Sequence, residues 1–193
     1  MHDALFSYIT NHSSTPLTEG DKALLTEVFV PKKLRKRQYF LQEGQVCKYL
    51  GFVVSGAMRQ FTIDDKGVEH IVRLSIEDWW VGDRESFTML TPSIYNIEAW
   101  EDSELLVITK ADTTRLDAIP AMTETFRKID AYHAFALQKR INASISLSAE
   151  QRYADLVNTY PAFLQRFPQH VIASYLGITK ETLSRVRHKA LSK

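Results

Sequence analysis

The stretch VIASYLGITKETLSRVRHK, residues 171–189, predicts two short helices separated by a tight turn. In the first helix, Ile172 and Leu176 are four residues apart and therefore share the face that packs against the interior. Gly177 suits the left-handed backbone position that follows a helix end. Thr179 has the hydroxyl group that caps a helix start, so the second helix is expected to begin just after it.

Twenty residues counted from Gln169 to His188 resemble the helix-turn-helix motif of DNA-binding proteins. That motif expects apolar residues at the fourth, eighth, tenth, fifteenth and eighteenth places, a small residue at the fifth and glycine at the ninth. The residues that match are Ile172, Ala173, Leu176, Gly177, Ile178, Leu183 and Val186. A generic helical hairpin requires apolar residues but not this set, so the spacing predicts DNA binding.

The polar side chains of the second helix have the chemistry that reads base edges in the major groove. Arg185 can donate two hydrogen bonds to guanine, Lys180 can reach guanine, and Glu181 can accept a hydrogen bond from cytosine. A carboxylate repels phosphates, so Glu181 favours base reading over plain backbone binding. The residues predicted to contact DNA through bases, phosphates or added charge are Thr179, Lys180, Glu181, Thr182, Ser184, Arg185, His188 and Lys189.

The charge distribution agrees with a nucleic-acid-binding region at the end of the chain. Residues 148–193 contain seven Lys and Arg against three Asp and Glu, whereas residues 1–147 contain 17 against 20. A basic region on an acidic body suits a small phosphate-binding module, but a solvated basic surface would give the same count. The sequence shows no export signal and no apolar run of the ~20 residues that cross a membrane, so we expect a cytoplasmic protein with no membrane partner.

Residues 37–110 predict a β-rich region that follows helical residues 1–30. Short β-rich runs alternate with glycines, and the sequence DDKG at residues 64–67 predicts the turn of a hairpin. Many short strands with regular turns favour a closed antiparallel roll over a parallel sheet.

Residues 119–146 predict one long helix, because they contain no glycine and their single proline, Pro120, is acceptable at a helix start. Apolar and aromatic side chains recur at steps of four and three, which is typical of a seam for a partner helix. The residues of this predicted seam are Met122, Phe126, Ile129, His133 and Ala136. We expect this helix to pack against a second copy of the chain; the alternative is that it packs on its own β-rich region.

A β-roll, a long helix and a C-terminal helix-turn-helix, in this order, resemble the Crp–Fnr family of bacterial transcription regulators. KETLSR at residues 180–185 is similar to the recognition helix of that family, with Lys180 in place of the usual arginine. EDWWVGDRESF at 77–87 and QRYADLVNTYPAFLQRFPQHVIASYLGIT at 151–179 resemble the subgroup common in Bacteroidetes-type bacteria. The resemblance implies an α+β fold with an N-terminal jelly-roll-like antiparallel β-roll, a long dimerisation helix and a C-terminal all-α helix-turn-helix domain.

The resemblance also implies a division of the chain and a set of partners. Residues 1–115 would form a cyclic-nucleotide-binding-like sensor with N-terminal helices, residues 116–147 the dimerisation helix, and residues 148–193 the DNA-binding domain. The implied partners are double-stranded DNA with a palindromic operator, a second copy of the chain, and RNA polymerase. No cofactor is assigned, and an unidentified small-molecule effector stays open.

The effector region departs from the family pattern. In cyclic-nucleotide-binding members, a phosphate cassette runs from Gly-Glu to a later Arg-Ser pair, whose arginine neutralises the phosphate. Here Gly82-Asp83 begins the region, but Tyr95-Asn96 occupies the place of Arg-Ser, so the usual response to cyclic AMP is not expected. The candidate residues of an effector pocket are Arg59, Arg73, Trp80, Gly82, Asp83, Arg84, Glu85, Tyr95 and Asn96.

Other site chemistries find little support in the sequence. The single cysteine, Cys47, cannot form a disulfide framework or supply a four-thiolate cluster. The six histidines show no metal-binding spacing, and no P-loop or G-x-S-x-G motif is present, so we do not expect an enzyme. Two alternatives stay open: a small-ligand-binding module whose helix-turn-helix serves protein contacts, and a cupin-like enzyme.

Overall fold

The structure is a computed structural model that describes residues 1–191, and of these the side chains of residues 1–189. The helices of these residues are α1 (His2–His12), α2 (Glu19–Val28), α3 (Arg84–Met89), α4 (Lys110–Thr113), α5 (Pro120–Ser146), α6 (Ala149–Thr159), α7 (Pro161–Arg166), α8 (Gln169–Leu176) and α9 (Lys180–Leu191). The strands are β1 (Val30–Leu34), β2 (Tyr39–Leu41), β3 (Tyr49–Ser55), β4 (Met58–Ile63), β5 (Glu69–Ser75), β6 (Trp80–Val81), β7 (Asn96–Ala99) and β8 (Ser103–Thr109). A 3₁₀-helix (Thr114–Ala118) precedes α5. Residues 192 and 193, which end the predicted DNA-binding region, lie outside the described residues.

The strands form two four-stranded antiparallel sheets that pack face to face. Their orders are β1-β8-β3-β6 and β2-β7-β4-β5, so strands distant in sequence become neighbours, as in a jelly roll. Apolar side chains from both sheets, among them Val53, Met58, Ile97 and Leu105, form a buried cluster. This arrangement confirms the predicted α+β fold with an antiparallel roll.

The predicted hairpin turn joins β4 to β5. The carbonyl oxygen of Asp64 accepts a hydrogen bond from the Gly67 amide at 2.8 Å, and the Asp64 amide donates to the Val68 carbonyl at 3.1 Å. The Asp64 carboxylate accepts from the amides of Lys66 and Val68, both at 2.9 Å. The side chain therefore fixes the turn that its sequence predicted.

The structure corrects the predicted seam for a partner helix. Met122 and Ile129 of α5 are 0% and 6% exposed, because they pack against Leu5 and Ile9 of α1 and Phe52 of β3. Helical periodicity shows that a face is buried, but it does not show what covers it. The Met122, Phe126 and Ile129 part of the seam packs on the chain's own roll and N-terminal helix, which is the alternative interpretation, whereas Ala136 is exposed.

The second half of α5 is largely exposed in the single chain. Several large apolar side chains in the second half of this helix are between 51% and 80% exposed. These are Tyr132, Phe135, Leu137, Ile141 and Ile145. Exposed apolar side chains that line one helix are typical of a surface that is covered by another molecule.

The last four helices form a small domain that packs on the roll. Phe163, Phe167 and Ile172 of this domain lie in one apolar cluster with Trp100, which follows β7. The Trp100 indole Nε1 donates to the Arg166 carbonyl at 3.1 Å. The helix-turn-helix is therefore held against the roll by a shared apolar cluster as well as by its covalent connection through α5.

Candidate nucleic-acid interface and effector pocket

The segment from α8 to α9 has the geometry of a helix-turn-helix. α8 ends at Leu176, and Gly177 follows in the left-handed conformation, at φ 66° and ψ 37°. The Gly177 amide donates to the Ser174 carbonyl, and the Ile178 amide donates to the Ala173 carbonyl, both at 3.0 Å. These bonds satisfy carbonyl groups at the end of α8 and confirm the predicted turn.

Thr179 caps the start of α9, as predicted. Its Oγ1 accepts a hydrogen bond from the Thr182 amide at 3.2 Å. Leu183 and Val186 point inward and are 1% and 5% exposed, so one face of α9 is anchored in the domain core. The opposite face is left for a partner.

The outer face of α9 is basic and contains one carboxylate. The exposed side chains of this face are Lys180, Glu181, Arg185, His188 and Lys189. Arg185 Nη2 donates to Thr182 Oγ1 at 3.2 Å, and Lys189 Nζ lies 3.6 Å from Glu150 Oε1 of α6. Thr182 and Ser184 are half-buried at the edge of this face. The predicted DNA-contacting residues therefore lie together on one helix, and their role stays a prediction.

Glu181 is ionised at neutral pH. Its own backbone amide, the Thr179 hydroxyl and the charge of Lys180 lower the pKa of this carboxyl group. The first turn of a helix also stabilises a negative charge. An ionised carboxylate accepts hydrogen bonds from the amino group of a base and repels phosphates, which suits a base-reading position.

Two residues beside this face were missed by the sequence prediction. A recess of about 120 Å³ is lined by Gln169, Ser184, Arg187 and His188, where the start of α8 meets α9. Arg187 is half-buried and forms no ion pair with the described side chains.

The start of the predicted effector region is fixed by local contacts. Gly82 has φ 140°, and a Cβ atom there would lie 2.7 Å from Leu50 Cδ2, so glycine is required. Asp83 Oδ1 accepts a hydrogen bond from the Glu85 amide at 3.1 Å, which caps α3. Asp83 Oδ2 accepts from the Ser93 hydroxyl at 2.7 Å. Both oxygens of this carboxylate therefore already have partners within the protein.

Arg59 and Asn96, two candidate pocket residues, hold the roll together. Arg59 is 3% exposed; its Nε donates to Glu98 Oε1 at 2.8 Å and its Nη2 donates to Glu69 Oε1 at 3.0 Å. Asn96 Oδ1 accepts from the Glu43 amide at 3.1 Å. Every contact named here is made within the protein, so a role of Arg59 and Asn96 in ligand binding stays a prediction.

Trp80, a third candidate, packs in an aromatic cluster of the core. Its ring centroid lies between 5.4 and 6.5 Å from those of Tyr8, Phe29, Phe52 and Phe126. Two other candidates have a different environment. Arg73 is half-buried on β5, and Arg84 is exposed at the start of α3, where it forms an ion pair with Asp130 of α5.

Metal-binding and membrane-spanning features do not occur in residues 1–191. Within this range, no three His, Cys, Asp or Glu side chains lie together as metal ligands. Over the same residues, none of the helices is long and apolar enough to cross a lipid bilayer. Cys47 is buried, and burial raises the pKa of its thiol.

Comparison with known proteins agrees with this architecture. Residues 31–118 match the family model described as cyclic nucleotide-binding domain. No curated protein matches the chain.

Solved structures share the fold over most of the chain. FixK2 from Bradyrhizobium japonicum is 20% identical, with a TM-score of 0.71 over 86% of this chain and 85% of that chain. The catabolite activator protein of Thermus thermophilus is also 20% identical, with a TM-score of 0.56 over 91% and 84%. The c-di-GMP responsive global regulator CLP of Xanthomonas campestris is 15% identical, with a TM-score of 0.70 over 91% and 92%. These neighbours are regulators of the Crp/Fnr type, and at such identities the likeness shows a common fold.

Proposed function

We propose that the protein is a homodimeric, sequence-specific DNA-binding transcription regulator whose β-roll is a sensor domain. The observation that carries this proposal is the exposed face of α9, which presents Lys180, Glu181 and Arg185 on a helix-turn-helix joined through α5 to the roll. In this division, residues 1–115 form the sensor, residues 116–147 the dimerisation helix and residues 148–193 the DNA-binding domain. The match to a cyclic nucleotide-binding domain supports the sensor assignment.

The first part of α9 supplies the base contacts in this proposal. Arg185 leaves its internal bond to Thr182 and donates to O6 and N7 of a guanine in the major groove. Glu181 accepts from a cytosine amino group, and Lys180 reaches a neighbouring guanine. Because lysine lacks the rigid fork of arginine, its base preference is weaker.

The periphery of the helix-turn-helix supplies phosphate contacts. Thr179, Thr182 and Ser184 have short hydroxyl groups that donate to phosphate oxygens, and His188 and Lys189 bring positive charge near the backbone. The recess between α8 and α9 adds Gln169 and Arg187. These contacts position the domain on the duplex without reading its sequence.

One face of the exposed second half of α5 supplies the dimer interface in this proposal. Small or apolar residues and one glutamine recur at alternating steps of three and four, which is the heptad pattern of two helices packed side by side. These residues are Ala131, Ala134, Gln138, Ile141 and Ile145, and all are exposed in the single chain. A two-fold dimer places the two α9 helices ~34 Å apart and so requires a palindromic operator.

The sensor does not respond to cyclic AMP in the usual way. Tyr95-Asn96 offers only neutral hydrogen bonds where a cation would neutralise the cyclic phosphate, and Asn96 is bonded to the Glu43 amide. Asp83 stands in the place of the family's glutamate, which binds the ribose hydroxyl, and its carboxylate already accepts a hydrogen bond from Ser93. A contact with RNA polymerase, the Bacteroidetes-type subgroup and the cytoplasmic location stay predictions.

Selection of bound duplexes from a random DNA pool tests this function. The expected result is a palindromic consensus whose half-sites are about one helical turn apart. The Arg35→Ala variant is a matched control, because Arg35 is an exposed arginine of the roll and should leave the consensus unchanged. A selection that yields no consensus sequence would favour the alternative in which the helix-turn-helix binds another protein.

A further inference from the structure

Arg73 is a cation without a counter-ion in the part of the chain that the structure describes. It lies half-buried on β5, and its guanidinium forms no hydrogen bond or ion pair with a described residue. Two other arginines near this contact are paired: Arg59 of the roll with Glu98, and Arg166 of the neighbouring domain with Glu77. Partial burial lowers the pKa of the Arg73 guanidinium, and no described carboxylate offsets this effect, so an anion from outside the single chain would stabilise its charge.

Two more arginines flank Arg73. Arg84, at the start of α3, forms a two-pronged ion pair with Asp130 of α5. Arg140, also on α5, donates to the carbonyl oxygen of Val72, the residue that precedes Arg73. The part of α5 between residues 130 and 140 is therefore tied to the roll at both of its ends, and Arg73 lies within electrostatic range of both arginines.

His133 lies on this part of α5 and faces the same charges. Burial and then the positive charges of Arg73 and Arg84 lower its pKa to about 4, against a smaller opposite effect of Asp130. Burial, Arg140 and Arg84 likewise lower the pKa of Arg73. The only carboxylate in this group, Asp130, is already paired with Arg84, so the cluster has excess positive charge.

A second copy of the chain does not supply the missing negative charge from the helix face proposed to meet it. Residues 131–145, which contain that face, include no Asp or Glu. That helix face therefore does not offset the excess charge around Arg73 in the proposed dimer, whereas a bound anion would offset it.

We infer that Arg73 and His133, beside the positive charges of Arg84 and Arg140, form a binding site for the oxyanion group of a small molecule, a phosphate or a carboxylate. The planar guanidinium of Arg73 can donate two parallel hydrogen bonds to such a group. The neutral imidazole of His133 can donate one more, and Tyr95 lies close enough to interact electrostatically with Arg73. Arg73 lies on β5, His133 and Arg140 lie on α5, and Arg84 begins α3, so these residues are outside the Tyr95-Asn96 position at which a cyclic phosphate would be expected to meet a cation.

The site also adjoins the contact between the roll and the helix-turn-helix. Arg140 Nη2 donates to the carbonyl oxygens of Ile71 of β5, at 3.2 Å, and of Tyr175 of α8, at 3.3 Å. Its guanidinium also lies 4.5 Å from the centroid of the Tyr175 ring. An anion that draws Arg140 towards Arg73 would weaken this link and change DNA affinity. This regulatory consequence rests on the proposed function, whereas anion binding itself does not.

Direct binding to the full-length protein without DNA tests the site. The probes are sulfate, inorganic phosphate and citrate at matched ionic strength, of which citrate separates a carboxylate ligand from a phosphoryl ligand. At least one probe should bind and raise the melting temperature, and Arg73→Gln should weaken that binding at least tenfold. Arg73→Gln should fold at least as stably, because an unpaired charge is removed. Arg35→Gln, an exposed arginine of the roll, should bind the probe like the unmutated protein.

The imidazole of His133 gives an independent readout by NMR. Bound sulfate, which does not titrate in this range, should raise the pKa of His133 because it offsets the charges of Arg73 and Arg84. If Arg73→Gln does not fold, Arg73→Lys keeps the charge, lacks the fork and should still bind several-fold more weakly. Equal probe binding by the unmutated protein and the folded variant would overturn the site. DNA binding measured without any probe shows separately whether the proposed function holds.

Discussion

Arg185 and Lys189 are four residues apart on α9, but their surroundings differ. Arg185 lies in the first half of the helix and its guanidinium is held only by Thr182. Lys189 lies in the last turn, 3.6 Å from Glu150. A recognition helix reads bases with its first half, so the two cations should act differently on DNA.

Replacing these two residues separates base reading from phosphate binding. Arg185→Ala should cost about 1–3 kcal/mol of DNA-binding free energy and relax the preference at one base position. Lys189→Ala should weaken binding to all sequences about equally and reduce the salt dependence by about one counter-ion. Binding isotherms on the selected operator and on single-base variants measure both effects. An unchanged motif and affinity for Arg185→Ala would show that α9 is docked differently.

His133 should make folding stability depend on pH. Its folded-state pKa of about 4 lies below the ordinary value of 6.5, so the folded protein binds fewer protons than the unfolded chain. The stability from this group is complete above pH 6.5 and is lost as the pH falls from 6.5 towards 4. At pH 5 the loss is at most about 2 kcal/mol, because residual solvent contact screens the neighbouring charges.

Denaturant unfolding at pH 7 and pH 5 measures this dependence. His133→Gln cannot be protonated and should lose less stability between these two values than the unmutated protein. Between pH 7 and pH 5, carboxyl groups with lowered pKa, such as Glu77, stay ionised. Their stabilising effect is lost only at lower pH. Equal pH dependence in both proteins would show that His133 is not held beside Arg73 and Arg84 as described.

At the level of single residues, the sequence identified side chains that act through local spacing. Gly177 and Thr179 have the predicted turn and cap, because both depend on neighbours in the chain. Arg59 and Asn96 were proposed for a ligand, but the structure bonds them to Glu98 and Glu43. Those pairings depend on which strands become neighbours, and one sequence does not reveal that order.

At the level of helices, α5 shows that an apolar pattern can be recognised correctly while the surface that packs against it is predicted wrongly. The sequence predicted its start at Pro120 and an apolar seam. Met122 and Ile129 of that seam pack on the roll, and the exposed heptad begins at Ala131. This helix has two apolar faces. The larger side chains of the buried face give the more obvious sequence pattern, so the second face, made of alanine and isoleucine, was not predicted.

A charge on each face of α5 should have a different effect. Ile141 is 51% exposed, so Ile141→Asp should keep folding stability nearly unchanged while it converts the dimer to monomers and abolishes tight operator binding. Ile129 is 6% exposed, so Ile129→Asp should cost several kcal/mol of folding stability, about 3 or more. Sedimentation and thermal unfolding distinguish the two outcomes. An unmutated protein that sediments as a monomer at micromolar concentration would contradict the interface.

At the level of the whole molecule, the order of the three regions could be predicted and their contact could not. Composition and spacing separated the roll, the long helix and the helix-turn-helix. The contact depends on Ser174, whose Oγ accepts from the Ile71 amide at 2.9 Å, and on Arg166, paired with Glu77 and Glu101. These residues are far apart in sequence and have no local signature.

The effector chemistry also belongs to the assembled molecule. Cyclic AMP should bind no tighter than about 1 mM, roughly −4 kcal/mol, because Tyr95-Asn96 provides no cation, Arg84 and Arg59 are already paired, and Arg73 lies on β5 and not at the Tyr95-Asn96 position. DNA affinity should be the same with and without it, since a ligand that does not distinguish two states cannot shift them. Isothermal titration with cyclic AMP is the measurement. Micromolar affinity that is lost on Arg84→Ala or Arg59→Ala would mean that an arginine leaves its carboxylate to bind the phosphate.

The central claim is that α9 reads DNA sequence, and the affinity ratio between two duplexes tests it most directly. Fluorescence anisotropy compares the selected palindrome with a scrambled duplex of equal length and composition, at several salt concentrations. We predict that the palindrome binds at least about 10³-fold more tightly, that affinity for both falls steeply with salt, and that Arg185→Ala lowers the ratio. Equal affinity for the two duplexes, or binding that does not depend on salt, would contradict the claim.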